Sequence, residues 1–133
     1  MTLVDTNVLI DILSRDPVWY EWSAARFAER QALGRMAIIE VVYAECSVSY
    51  SSAEQVSEAL EALALERDAM SDAALWRAGR AFRDYRRQGG SKTNVLADFF
   101  IGAQAETLGI PLLTRNAGRY RSYFPEVAVL GPQ

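Results

Sequence analysis

The order of short apolar runs and helical patterns predicts an α/β fold: a three-layer α/β/α sandwich around a parallel sheet of four to five strands. Two further observations support it. Half of the 133 residues are hydrophobic and 23% are charged, enough apolar material for one domain with a real core. Residues 93–105, TNVLADFFIGAQA, are a helix-length run with a single charge, Asp98. A helix that is apolar on nearly all sides is a buried helix. The chain, 1–133, reads as a single domain with no repeat, low-complexity tract or linker.

Residues 2–4 are an apolar run that ends at Asp5. Thr6 and Asn7 lead into Val8, Leu9, Ile10, Ile12 and Leu13, the pattern of a buried strand, a tight turn and a helix. Asp5 then stands at the carboxyl end of the strand, the edge where open α/β sheets bind ligands. The alternative is that Asp5 or Asn7 only caps the helix. Pro17 opens a second helix over 18–33, with Val18, Trp22, Ala25 and Ala32 inward and Gly34 as its stop. Trp19, Trp22 and Phe27 read as core or interface. Residues 36–39 are the second strand.

A helix over 40–50 follows. Val41, Ala44, Glu45 and Val48 recur at three and four, which turns Glu45 inward with the apolar residues, while Glu40 reaches water. Ser52 caps a helix over 53–66, with Val56, Leu60 and Leu63 inward and Glu54, Glu58 and Glu61 solvated. Ser71 starts a long helix that runs to Gln88. Its inner stripe is Leu75, Ala78, Phe82 and Tyr85; Arg77, Arg80, Arg83, Arg86 and Arg87 lie opposite, and Gly89-Gly90 stops it. Thr93 or Asn94 caps the apolar helix, which places Asp98 in an early turn. Residues 112–114 form a short buried strand with Arg115 and Asn116 at its carboxyl end, and 127–130 form an edge strand.

Composition removes whole classes of chemistry. There is no histidine, which excludes histidine ligands and histidine acid–base catalysis. The lone cysteine, Cys46, excludes an internal disulfide and Cys-rich zinc sites, and without a base it reads as a small buried hydrophobe. No apolar run reaches the ~18 residues of a membrane span. The start, MTLVDTNVLIDIL, carries two acids and no basic leader, so a cytoplasmic protein is expected. The net charge of −3 is uneven: residues 1–70 carry 5 basic and 12 acidic side chains, residues 71–133 carry 9 and 5. This is either solvated charge distributed by chance or an acidic cluster beside a basic rim.

Asp5, Glu45 and Asp98 are carboxylates from distant segments, each in an apolar setting. Brought together they would repel, and a divalent cation would supply the missing charge. Oxygen ligands without His or Cys select Mg²⁺, or Mn²⁺ in its place. Such ions polarise phosphoryl oxygens and lower the pKa of bound water, and nearby basic residues could hold the phosphates of a polyanion.

DTNVLID at 5–11, EVVYAE at 40–45, LADFFIGAQA at 96–105 and LLTRNAGRY at 112–120 resemble, in order and spacing, the four signatures of the PIN domain, in particular of VapC-type toxins of toxin–antitoxin pairs. The likeness covers essentially the whole chain. It implies a PIN-like sandwich and metal-dependent endoribonuclease activity on single-stranded RNA or on tRNA or rRNA loops. It also implies a cognate VapB-like antitoxin and a homodimer within a heteromeric complex. Asp5, Glu45 and Asp98 are then the family's acids, and the fourth position is Asn116, where many PIN domains have aspartate. In the mechanism so implied, Asp5 and Asp98 bind Mg²⁺ and Glu45 positions water. Thr6, Thr114 and Asn116 orient the ligands, and Lys92, Arg115 and Arg87 contact phosphates.

Two other readings compete. One is a PIN-like module that binds RNA or a protein without catalysis, which the uncharged Asn116 would suit. The other is a receiver-type phospho-transfer domain, also doubly wound and Mg²⁺-binding. It expects a lysine near the end of the chain, whereas the only lysine is Lys92, before a helix.

Overall fold

Three buried residues in a row, Thr2–Val4, form strand β1, and both of its neighbours in the sheet are buried strands as well. The computed structural model describes residues 1–92 and 95–132. In chain order the elements after β1 are α1 (Thr6–Ser14), α2 (Tyr20–Leu33), β2 (Met36–Ile38), α3 (Glu40–Ser47), α4 (Ala53–Ala62) and β3 (Leu65–Arg67). Then come α5 (Asp72–Arg87), α6 (Leu96–Leu108), β4 (Leu112–Leu113), α7 (Ala117–Tyr123) and β5 (Val129–Leu130). Among the described residues these make a five-stranded, all-parallel sheet flanked by seven helices, in the order β3-β2-β1-β4-β5. The chain moves outward from β1 through β2 to β3, then crosses back to β4 and β5. The gap between the carboxyl ends of β1 and β4 is therefore the topological switch point, where doubly wound folds bind ligands. Register fixes what lies there: Val4 pairs with Leu113, so Asp5 and Thr114 leave the sheet side by side.

The apolar helix is buried as its composition requires. Every residue of α6 from Ile101 to Ala105 is buried, and Gly109, at φ +65°, ends the helix in the left-handed region. The proposed cap at Thr93 or Asn94 lies outside the described residues. Phe82 and Tyr85 of α5, Phe99 of α6, and Tyr123 and Phe124 at the end of α7 form one aromatic cluster, ring centroids 5.3–6.2 Å apart in the pairs that touch. Arg77 joins the same three helices, binding both carboxylate oxygens of Glu106 and the carbonyl of Tyr123.

Several expectations are corrected. The second helix begins at Tyr20, because the Asp16 carboxylate takes the amides of Val18 and Trp19 into a turn. Its inward face carries Ser23 and Phe27, not Val18, Ala25 and Ala32, which are exposed. In α3 the buried residues are Val42 and Cys46; Val41 and Glu45 flank them half-buried, while Ala44 and Val48 face out. The helix expected over 53–66 stops at Ala62, where Ala64, at φ +56°, turns the chain into β3, an edge strand with no counterpart in the sequence reading. Along α5 the buried stripe is Ala74, Ala78 and Ala81; Leu75 is exposed, and Arg77 faces the core side rather than water. Helix α7 was not anticipated.

Candidate active site

Asp5 occupies the N-cap position of α1, yet its side chain makes no capping hydrogen bond. The capping alternative is therefore overturned: the carboxylate is turned across the switch point. Its Oδ2 accepts from the Thr114 hydroxyl at 2.7 Å, from the Tyr120 hydroxyl at 2.9 Å and from the Asn7 amide at 3.2 Å. Asn7 also donates to Thr114 and accepts from the Arg115 amide, which ties the start of α1 to the end of β4.

Asp98, in the first turn of α6, meets this group through Tyr120, whose hydroxyl lies 3.4 Å from its Oδ1. One buried phenol thus spans two carboxylates. Burial, and then the Asp5 and Asp98 charges, hold the Tyr120 hydroxyl well above its ordinary pKa, so it stays a donor. Burial also pushes Asp5 up to about 6, against the pull of the Thr114 hydroxyl and with a further push from Asp98. The other oxygen of Asp98 receives Arg119 Nη1 at 2.5 Å.

Glu45 is placed next door. Its Oε1 accepts from the Thr6 hydroxyl at 2.6 Å, so the residue after Asp5 holds it. It does not join the other two: among the described residues no three His, Cys, Asp or Glu side chains come close enough to hold a metal ion. The expected three-carboxylate cluster is instead a pair with a third acid attached through Thr6. The pair still suits a hard cation. Mg²⁺ is commonly held by one or two carboxylates, with water and substrate phosphate filling the rest, and Asp5 carries charge that its donors do not offset.

The remaining candidates are spread more widely. Asn116 is exposed at the start of α7; its backbone amide donates to the Thr114 hydroxyl, and its side chain makes no capping bond. Arg115 binds both oxygens of Asp11 through Nε and Nη2 at 2.8 and 3.0 Å, and its guanidinium lies over the Trp19 ring. Asp11 is itself fully buried and fixed by the Ser23 hydroxyl at 2.7 Å. Arg115 is thus committed to an internal pair. Lys92 and Arg87 are exposed on the loop before α6 and in the last turn of α5. Cys46 is buried, and its thiol is pushed up to about 11 by burial and then by Glu45, as an unreactive thiol would be.

Sequence reasoning missed Tyr120, Arg119, Asp11 and Asn7. A signal existed for Tyr120: Ala117, Tyr120 and Phe124 recur at three and four, the mark of an inward helical face, and a buried tyrosine needs a partner for its hydroxyl.

The family profile described as PIN domain matches residues 2–125. No curated protein matches the chain. Among solved structures, VapBC-1 from nontypeable Haemophilus influenzae superposes with TM-score 0.74 at 20% identity, covering 98% of this chain and 96% of that one. DNA-bound VapBC from Salmonella typhimurium gives TM-score 0.70 at 20% identity over 98% and 96%. A toxin–antitoxin complex from Klebsiella pneumoniae gives TM-score 0.67 at 26% identity over 100% and 98%.

Proposed function

The chain belongs to the PIN domain family, and from that premise we propose that it is the toxin of a type II toxin–antitoxin pair, a Mg²⁺-dependent endoribonuclease. Its substrate is single-stranded RNA, free or in a tRNA or rRNA loop. A cognate VapB-like antitoxin restrains it, and the toxin acts as a homodimer within their complex. The observation that carries the reading is the carboxylate pair Asp5 and Asp98, joined by Tyr120 at the switch point of a parallel sheet. Similarity to chains from VapBC and other toxin–antitoxin complexes supports the partner.

Asp5 and Asp98 would hold the ion, which when bound polarises a phosphoryl oxygen and lowers the pKa of its water. Thr114, Tyr120 and Asn7 fix the orientation of the Asp5 carboxylate. Glu45, fixed by Thr6, positions the attacking water and takes up its proton. Asn116 orients a ligand at the rim, and Lys92 and Arg87 hold the RNA backbone. Arg115 keeps the end of β4 in place through Asp11 rather than reaching for phosphate.

A second reading, an RNA- or protein-binding module without catalysis, draws on the ion pair that Arg119 makes with Asp98. One experiment separates the two: incubation of the purified protein with single-stranded RNA, with Mg²⁺ or Mn²⁺ and with EDTA. Cleavage that needs metal and disappears in Asp98→Asn is expected. RNA binding with no cleavage at any metal concentration would favour the binding module.

A further inference from the structure

Two arginines follow β4 within six residues, and the fold treats them differently. Arg115 makes two bonds to a fully buried carboxylate that a serine also holds. Arg119 makes its contact with Asp98 through Nη1 alone, and both side chains are about one-third exposed, at 32% and 33%. The first is a fixture. The second is an exchangeable pair at the carboxylate that the proposed metal requires.

We infer that Arg119 is a built-in counter-ion that competes with the divalent cation for Asp98, and that an RNA phosphate relieves this competition by drawing the guanidinium away. The inference rests on the proposed function. While Arg119 holds one oxygen of Asp98, a cation finds only Asp5 without a counter-ion, and Oδ2 of Asp5 already accepts three hydrogen bonds. A guanidinium has five donors in a planar fork that matches phosphate well. Phosphate arriving at the site gives Arg119 a doubly bonded, more highly charged partner in place of one oxygen of Asp98. Asp98 is then released beside Asp5 as the substrate arrives. Metal and RNA therefore bind cooperatively, through a side chain that contacts first one and then the other.

Mn²⁺ is the probe, with free ion counted by electron paramagnetic resonance for the wild type, R119Q, R119K and D98N. Each is measured alone and with a short 2′-O-methyl RNA, and D98N with RNA corrects for ion bound to the nucleic acid. R119Q should bind Mn²⁺ about twofold to fivefold more tightly than the wild type, the upper range of a partly exposed ion pair. R119K, charged but without the planar fork, should fall between them. The RNA should tighten Mn²⁺ binding to the wild type by a larger factor than to R119Q, where phosphate acts only as a further ligand. Melting curves in EDTA verify that each variant is folded; if R119Q is not, R119K carries the comparison. Equal Mn²⁺ affinity in R119Q, R119K and the wild type, or equal tightening by RNA in all three, overturns the competition. If D98N loses Mn²⁺ while R119Q matches the wild type, the metal site stands and only the competition falls. If D98N binds Mn²⁺ like the wild type, the metal reading of Asp98 falls first, and the competition with it.

Discussion

Asp5 accepts three hydrogen bonds on one oxygen and still titrates near 6, because burial outweighs its donors. That sets a sign for stability. The folded protein holds this proton up to about pH 6, while the unfolded chain releases it near the ordinary 3.8. Between those values the native state binds more protons than the unfolded state, so stability falls as pH rises through the window. Below the window the penalty is absent, and above it the penalty is complete, about 3 kcal/mol at 1.36 kcal/mol per pKa unit. Asp5→Asn keeps the shape and an acceptor oxygen but removes the charge. Its urea midpoint should rise relative to wild type as pH increases from about 4 to about 6, then level off; a pH-independent difference would contradict this account. Tyr120→Phe works the other way. It leaves Asp5 one donor short, costs about 1–2 kcal/mol of stability, and moves the Asp5 transition to higher pH, both readable in the same titration. At this scale the sequence singled out Asp5 and Asp98, which the fold brings to one phenol, because a charge in an apolar helix or at a strand end is visible locally. It offered Tyr120 only as an inward helical position and Arg119 not at all, because their roles exist only once α7 lies across α6.

Helix α6 meets the end of α7 at Gly102, where a methyl group would stand 2.4 Å from two carbons of the Phe124 ring. Phe124 is fully buried within the aromatic cluster and cannot yield. Gly102→Ala should therefore destabilise by about 1–3 kcal/mol through overpacking, although alanine in an open helix would gain about 1 kcal/mol. A thermal melt decides the sign, and a more stable variant would mean that α7 shifts freely. Because α7 carries Arg119 and Tyr120, the same variant should also weaken the contacts that define the site. The elements that the sequence made legible are those with a purely local cause: the short, mainly apolar runs of β1 and β2, the all-round apolar α6, and the Ser52 and Ser71 caps, both of which accept the expected amide. Two elements escaped for tertiary reasons. Strand β3 is exposed at the sheet edge and continues a helical pattern, so only the left-handed Ala64 separates it from α4. Helix α7 is short and rich in arginine and tyrosine, and its inward face is defined by what it covers.

At the scale of the whole molecule, the strand order brings an acidic first half against a basic second half. The switch point joins Asp5 and Glu45, from the half with 12 acids, to α6 and α7, from the half with 9 basic residues. No helix among the described residues is long and apolar enough to cross a membrane. An RNA-binding face built this way owes its affinity to counterion release, which depends on salt in a countable manner. Arg86, Arg87 and Lys92 are exposed where α5 ends and the chain turns toward α6. If they hold the backbone of single-stranded RNA, each contributes about 0.7 to the slope of log affinity against log salt. Replacing all three with alanine should flatten that slope by about 2 units. The EDTA melting temperature should fall only slightly, because the three side chains are exposed, with Arg86 lying over the Phe82 ring. Fluorescence anisotropy with a labelled RNA at several salt concentrations measures it. An unaltered slope would mean that the RNA approaches the carboxylates across another face, with the charge in this part of the second half serving solubility alone.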